Sequence, residues 1–171
     1  MKNLYIALEN IRSLYNVGAI LRTCSFYCIK NVILIGISGT TTSYYDKKLI
    51  LNQKLHKTAL GSENDLEITM IPNTNALIKF AKNNKLEIVC IEQDKESIPL
   101  QTWKPQSKSI IVFGHERNGV DKSLLEKANT IVEIPKKGIH PSLNVATTCG
   151  IIVNHIVNNY KITLPKISPH T

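Results

Sequence analysis

Short apolar runs alternate with amphipathic segments along the chain. Runs of aliphatic and β-branched residues that stop at Gly, Pro or polar residues predict six strands, over residues 4–8, 31–36, 66–71, 86–91, 109–113 and 130–134. Apolar spacings of three and four predict helices over residues 16–28, 75–84, 121–128 and 142–160, with a weaker basic helix in 46–60. The alternation indicates an α/β fold: a mostly parallel six-stranded sheet with helices on both faces.

Length and charge narrow the class of protein. The 171 residues, 43% of them hydrophobic, predict one globular domain over 1–160 and a loose tail over 161–171. The first strand begins near residue 4, so no appended N-terminal domain is expected. Twenty-one basic against 13 acidic residues give a net charge of +8. This charge points to a polyanionic partner such as nucleic acid, although basic residues also serve solubility alone.

The four cysteines, Cys24, Cys28, Cys90 and Cys149, form no C-x-x-C pair. Cys24 and Cys28 would share a face if both were helical, but nothing completes a set of four zinc ligands. We therefore expect no metal and a reduced, cytoplasmic protein. No apolar run approaches the length of a membrane span, so no membrane association is expected.

Three segments that follow predicted strands carry candidate chemistry. In the first, Asn16 and Gly18 open a predicted helix, with Asn16 as its N-cap, and Arg22 lies one turn further on. An amide, bare backbone N–H groups and a guanidinium at one helix N-terminus suit a phosphate. The same residues also fit an ordinary N-cap, a glycine that allows close packing, and a solvated arginine.

The second segment runs from Phe113 to Asp121, and its glycines flank a charged trio at 115–117. It fits neither the dinucleotide fingerprint, nor the P-loop, nor the hydrolase elbow. It is either a place where backbone approaches a ligand or a plain strand-to-helix turn, with Asp121 suited to the start of the next helix.

The third segment, residues 134–145, leads into the long last helix, which either Ser142 or Asn144 could cap. That helix is apolar on more than one side. It is therefore either fully buried or packed on both its own sheet and a second subunit.

In this order the three segments resemble the motifs of the SpoU/TrmH family of RNA 2′-O-ribose methyltransferases, within the SPOUT superfamily. The first family motif matches Asn16, Gly18 and Arg22, and the second matches Gly114, Glu116 and Gly119. The third matches Ile134, Pro135, Gly138, Ser142, Leu143, Asn144 and Val145. Lys136, Ala146, Thr147 and Thr148 depart from the residues usual in the family.

The resemblance implies a C-terminal deep trefoil knot and S-adenosylmethionine as cofactor. Its implied cofactor-binding residues are Phe113, Gly114, His115, Gly119, Ile134, Pro135, Gly138, Ser142, Leu143 and Asn144. Gly114 and Gly138 would be glycines because a side chain would collide with the cofactor. The implied catalytic residues are Arg22, Asn16, Glu116, Ser142 and Asn144. Arg22 would stabilise the 2′-oxyanion, Asn16 would hold phosphate or ribose, and Glu116 would orient Arg22 or Asn144.

The expected partners are RNA (tRNA or rRNA, not DNA) and a second copy of the chain. RNA would contact Arg12, Arg22, Lys47, Lys48, Lys54, Lys57, Arg117, Lys136 and Lys137. A homodimer through the first and last helices would cover Ile20, Leu21, Ile151 and Val153 and would share the active site. The alternatives are a non-catalytic RNA-binding module of the same fold and a base methyltransferase of the same superfamily.

Overall fold

A parallel sheet of seven strands forms the centre of the protein. The computed structural model describes residues 3–42 and 49–159. The strands of this sheet are β1 (Leu4–Glu9), β2 (Asn31–Ile35), β5 (Glu67–Ile71), β6 (Glu87–Ile91), β7 (Ile98–Pro99), β8 (Ser109–Phe113) and β9 (Thr130–Glu133). Their spatial order is β5-β2-β1-β8-β6-β9-β7. A separate antiparallel pair is formed by β3 (Thr40–Thr42) and β4 (Leu49–Leu51).

Helices cover both faces of the sheet, as the alternation of strands and helices predicts. They are α1 (Leu14–Phe26), α2 (Leu55–Ala59), α3 (Thr74–Asn84), α4 (Lys122–Leu125) and α5 (Val145–Asn159), with a 3-10 turn at Ser62–Asp65. Side chains of α1, α2 and α5 form one apolar cluster with one face of the sheet. Those of α3 and α4 form a second cluster on the opposite face. Because adjacent strand residues point to opposite faces, each central strand supplies both clusters.

The α/β class is confirmed, but the strand count and several boundaries differ from the prediction. The seventh strand, β7, has two residues and pairs only with β9. It lies within residues 92–106, a segment whose sequence predicts irregular structure. Two residues are too few to show a strand period. Strand β3 falls within the segment 38–45, whose Ser, Thr and Gly residues predict a loop, and β4 falls within the predicted helix at 46–60. The predicted tail over 161–171 lies outside the described residues.

Helix α1 begins earlier than predicted, and its N-cap is Ser13 rather than Asn16. The Ser13 hydroxyl oxygen accepts the Asn16 N–H at 3.3 Å. Because the helix ends at Phe26, Cys28 lies beyond it, exposed, while Cys24 is buried. The two thiols therefore do not share a helix face. Within the described ranges, no group of three His, Cys, Asp or Glu side chains could hold a metal ion.

Gly18 serves close packing between α1 and α2. A Cβ at this position would lie 2.4 Å from the Thr58 hydroxyl oxygen and 2.6 Å from the Thr58 carbonyl carbon. Thr58 in turn donates its hydroxyl to the Leu14 carbonyl at 2.9 Å. The prediction of a glycine for close approach is thus confirmed, and the contact is with protein.

The apolar residues expected to be left over for a second subunit are mostly core. Ile20, Leu21 and Val153 are fully buried within this one chain, because α1 packs against α5 as well as the sheet. Of the four residues named for a dimer, only Ile151 remains exposed. None of the helices described in the structure is long and apolar enough to cross a membrane.

Candidate active site

A cleft of about 1070 Å³ opens where β6, β8 and β9 end and α5 begins. Parallel strands place their carboxyl ends at one edge of a sheet, so the segments that follow them meet there. The volume is at the upper end of what ligand clefts in proteins offer. Its apolar walls include Ile91, Phe113, Ile134 and Leu143, and polar side chains stand at the rim.

All ten predicted cofactor-binding residues lie along this cleft. They are Phe113, Gly114, His115, Gly119, Ile134, Pro135, Gly138, Ser142, Leu143 and Asn144. Arg117, Lys136 and Lys137, predicted to contact RNA, line its mouth. The second and third sequence segments, which are far apart along the chain, therefore form one concave surface.

A chain of side-chain hydrogen bonds joins all three segments. The Asn16 amide nitrogen donates to Glu116 at 3.1 Å, and the Asn16 amide oxygen accepts from the Asn144 amide nitrogen at 3.0 Å. The Asn144 oxygen then accepts the backbone N–H groups of Ala146 and Thr147, at 2.8 and 3.3 Å. Asn144 is therefore the N-cap of α5. Of the two predicted alternatives, Asn144 is confirmed and Ser142 is not the cap.

The contacts of Glu116 and Asn16 within the protein differ from those predicted. Glu116 contacts Asn16, and it bonds to neither Arg22 nor Asn144. Asn16 uses both ends of its amide within the protein, and its contact with phosphate or ribose stays a prediction. The sequence could not show this, because the local pattern of one segment does not indicate which side chain of another segment it will meet.

Glu116 also holds the start of α1. Its carboxylate accepts the backbone N–H groups of Arg12 at 3.2 Å and Ser13 at 3.1 Å. Partial burial opposes the charge, but hydrogen bonds from backbone N–H groups and from the Asn16 amide lower the pKa of Glu116 below its ordinary value of 4.5. An ionised carboxylate at this place also suits the positive end of the helix dipole.

The two glycines that were expected to make room for a cofactor differ. A Cβ on Gly114 would lie 2.3 Å from the Gly119 carbonyl carbon and from the Val120 nitrogen, so Gly114 makes room for its own loop. Apart from the two chain neighbours of Gly138, no described residue has an atom within 4 Å of a Cβ built on it, so that space is open. The predicted reason therefore fails for Gly114 and remains a prediction for Gly138.

The loop after β8 closes on itself. His115 and Gly119 exchange two backbone hydrogen bonds of 3.0 and 2.9 Å. The His115 ring nitrogen Nδ1 accepts the N–H groups of Arg117 and Asn118, at 3.0 and 3.3 Å. His115 thus shapes the loop that carries Glu116.

Comparison with known proteins decides the family. Residues 3–154 match the sequence model of the SpoU rRNA Methylase family. The chain belongs to the SpoU family. The matched range includes all three segments, so the similarity to the family is not confined to those motifs and extends over most of the domain.

Relatives and solved structures agree with this assignment. A tRNA (guanosine(18)-2′-O)-methyltransferase of Aquifex aeolicus is 28% identical over 153 residues, which are 89% of this chain and 67% of that protein. An uncharacterized tRNA/rRNA methyltransferase of Borreliella burgdorferi is 29% identical over 154 residues, 88% of this chain and 62% of that one. Several other curated relatives are longer still, and this chain spans 58% of one and 30% of another.

The fold is that of solved SpoU structures. The TrmH/SpoU tRNA modifying enzyme of A. aeolicus superposes with a TM-score of 0.77 at 24% identity, over 93% of this chain and 76% of that one. An AdoMet-bound rRNA methyltransferase of Sinorhizobium meliloti gives 0.77 at 23% identity, over 91% of this chain and 56% of that one.

Arg22, the predicted catalytic arginine of this SpoU chain, does not line the cleft. It is exposed on α1 and makes no hydrogen bond or ion pair with any described residue. Tyr15 and Phe26, each 80% exposed, lie at helical spacing on the same side of α1. The structure therefore brings Asn16 to the cleft wall through Asn144 but leaves Arg22 on an outer face.

The remaining predicted RNA contacts are spread around the same face of the sheet. Arg12 is exposed beside Glu116, and Lys54, which precedes α2, and Lys57, within it, are also exposed; α2 packs against α1. Lys47 and Lys48 lie outside the described residues.

Sequence reasoning missed Glu9 and Glu92, which end β1 and flank β6. Glu9, only 1% exposed, accepts the Asp121 N–H at 2.9 Å and the Thr74 hydroxyl at 2.5 Å. Glu92 lines the cleft. Burial, then the charges of Glu9 and Glu92, raise the pKa of Cys90 to about 12, so this thiol is no nucleophile at neutral pH. A carboxylate directly after an apolar strand is the signal that could have found both.

We expect Glu116→Gln to remove part of the acid sensitivity of folding. A carboxyl whose pKa is lowered in the folded state stabilises the fold above its unfolded pKa, and this stabilisation is lost as the pH falls through the folded value. The measurement is urea unfolding at neutral pH and in the acid range below the ordinary pKa of 4.5. The stability of the wild type should fall more steeply than that of Glu116→Gln, and parallel curves would contradict the prediction.

Proposed function

We propose that the chain is an S-adenosylmethionine-dependent RNA methyltransferase that methylates a ribose 2′-hydroxyl of tRNA or rRNA. The observation that carries the proposal is the chain of hydrogen bonds from Glu116 through Asn16 to Asn144, which unites the three family segments beside one cleft. Relatives named as tRNA and rRNA methyltransferases support it.

The cleft fits the cofactor in size and chemistry. Its apolar residues suit an adenine ring, and Gly138 leaves space next to the backbone. The loops at Phe113–Gly119, 134–138 and 142–144 would hold the cofactor, largely through backbone groups. Relatives' structures with AdoMet bound support this choice. When bound, S-adenosylmethionine supplies a methyl group on a positively charged sulfur.

What remains for the protein is to align the 2′-hydroxyl and stabilise the charge that develops as its proton leaves. Arg22 stays protonated in essentially any site, so it serves as a donor to the developing oxyanion or to a neighbouring phosphate, which can take the proton. Glu116, Asn16 and Asn144 hold the start of α1 against the cleft and thus set where Arg12 and the RNA backbone lie. Ser142 completes the polar rim.

We propose that the active protein is a homodimer through α1 and α5. Arg22 is outside its own cleft, and a second copy would bring the guanidinium to the partner's cleft. The exposed apolar side chains on these helices, Tyr15, Phe26 and Ile151, support this surface in place of the buried residues predicted from the sequence.

RNA binding would rest on exposed cations: Arg117, Lys136 and Lys137 along the cleft, Arg12 beside Glu116, and Lys54 and Lys57 at α2. Contacts of this kind go mostly to phosphates, so affinity should fall steeply with salt. The net charge of +8 supports such a partner.

The family likeness also supports the trefoil knot, and the segment 134–144, which joins β9 to α5 along the cleft, is where we place it. A reduced, cytoplasmic setting accords with four unpaired cysteines.

The deciding experiment is methyl transfer from labelled S-adenosylmethionine to total RNA, followed by mass spectrometry of the modified nucleosides. A 2′-O-methylated nucleoside supports the proposal, and a methylated base would show the superfamily's other chemistry. RNA binding without cofactor binding in calorimetry would leave the non-catalytic module.

Gly138→Val should weaken S-adenosylmethionine binding by about ten-fold or more, because the side chain fills space in the cleft. Calorimetry measures the affinity, and thermal unfolding should change little, since no described residue beyond the chain neighbours lies within 4 Å of the new Cβ. Ile139→Val, in the same loop but outside the cleft, is the control. Unchanged affinity in folded Gly138→Val would show that this loop does not border the cofactor.

Arg22→Ala should lower methyl transfer by about 100-fold or more while cofactor affinity stays near that of the wild type. Arg22→Lys should also be poor, because an ammonium cannot present a planar fork. Lys82→Ala, which removes an exposed cation from α3 on the other face of the sheet, is the control. Near-normal turnover of Arg22→Ala would exclude this residue from the reaction.

Ile151→Glu should shift the protein towards monomer and lower its activity together, because it places a charge in a desolvated contact. Asn83→Glu adds the same charge to an exposed position on α3 and is the control. Sedimentation equilibrium of the wild type at micromolar concentration should give twice the chain mass of 19.2 kDa. A fully active monomer would overturn both the dimer and the shared site.

A further inference from the structure

The loop that carries Glu116 is held from both neighbouring strands by carboxylates. It follows β8, which lies between β1 and β6 in the sheet. Glu92, directly after β6, accepts the Val120 N–H at 3.0 Å, while Glu9, at the end of β1, accepts the next N–H, that of Asp121, at 2.9 Å. Two adjacent backbone donors at the loop's end are thus fixed by two charges from opposite sides.

Glu92 also explains why residue 119 is a glycine. A Cβ built on Gly119 would lie 2.2 Å from the Glu92 atom Oε2, and the Gly119 φ of +69° is one that other residues rarely adopt. The carboxylate occupies the space that a side chain would take. The glycine of the second family segment is therefore paired with an acidic residue far from that segment in sequence.

The position of Glu92 is transmitted to Glu116 through close backbone contacts. The peptide between Gly119 and Val120 lies against Gly114, whose own Cβ would collide with it. His115 and Gly119 are bonded to each other, so residues 114–120 form one closed turn. Glu116 lies on that turn. Moving the anchored end displaces the side chain that bonds to Asn16 and to the start of α1.

We propose that Glu92 is a positioning residue, which preforms the turn at 114–120 for cofactor binding and for the placement of Glu116. It is half-buried on the cleft wall and outside all three family segments. Hydrogen bonds to a charged acceptor are among the stronger ones in proteins, which suits an anchor. The inference takes S-adenosylmethionine as the ligand from the proposed function, but the anchoring of the turn by Glu92 does not depend on that function.

The chain offers a matched control. Glu133, the last residue of β9, also lines the cleft, but its carboxylate makes no hydrogen bond with a described residue. Glu133→Gln therefore removes a cleft charge without releasing the turn. Glu92→Gln retains an acceptor oxygen for Val120, and Glu92→Ala removes it.

The first measurement is backbone hydrogen exchange of the free protein. In Glu92→Ala the Val120 amide and its neighbours in 115–121 should exchange about ten-fold faster or more, with the central strands unchanged. Glu92→Gln should restore most of the protection, and Glu133→Gln should match the wild type. If Glu92→Ala does not fold, Glu92→Asp, which withdraws the same charge by one methylene, is measured in its place.

The second measurement is S-adenosylmethionine affinity by calorimetry without RNA. Affinity should fall by about ten-fold in Glu92→Ala and recover in Glu92→Gln. Faster exchange with unchanged affinity would overturn the proposal, since Glu92 would then be merely structural. Equal losses of affinity in Glu92→Gln and Glu133→Gln would also overturn it, since Glu92 would then act only as a source of charge. Unchanged exchange of Val120 would also overturn it. Absence of cofactor binding in the wild type would instead refute the proposed function, and exchange would still test the anchor.

Discussion

The site depends on the amide of Asn16, which can satisfy its two neighbours in one orientation only. Glu116, as a carboxylate, can only accept a hydrogen bond, so the Asn16 nitrogen must face it. The Asn144 oxygen is engaged in capping α5, so Asn144 has only its nitrogen to offer, and the Asn16 oxygen must face that. One amide therefore fixes the start of α1 relative to the start of α5.

This constraint links the two halves of the site physically. The half proposed to hold the cofactor is the concave surface after β6, β8 and β9, and the other half is the start of α1 with its exposed cation, Arg12. Protonation of Glu116 would remove the reason for the amide's orientation. Because the pKa of Glu116 is lowered, that carboxyl stays ionised at a lower pH than an ordinary glutamate does, so the link persists into the acid range.

The sequence was most informative where a local pattern decides the structure. Apolar strands ended by polar or glycine residues gave six of the seven strands of the sheet, and motifs that follow parallel strands had to meet at one edge. It was least informative where a distant residue competes with a local one. The sequence predicts Asn16 as the N-cap of α1, but Ser13 caps the helix. The Asn16 side chain therefore bonds to Glu116 and Asn144 instead. Ile20 and Val153 were predicted to need a second subunit, but they are buried within this chain. The apolar pattern of one helix does not show that another helix of the same chain packs against it.

Selectivity cannot come from the reacting group itself, because every ribose of an RNA carries a 2′-hydroxyl. Arg117, Lys136 and Lys137 along the cleft, and Arg12 beside Glu116, are exposed and form no ion pair with described residues, so they are free to contact phosphates. Phosphate contacts set register and orientation but carry no base identity. Under the proposed function, the choice of nucleotide follows from where the shape of the RNA allows its backbone to rest on these cations, and so from which ribose is placed at the cleft.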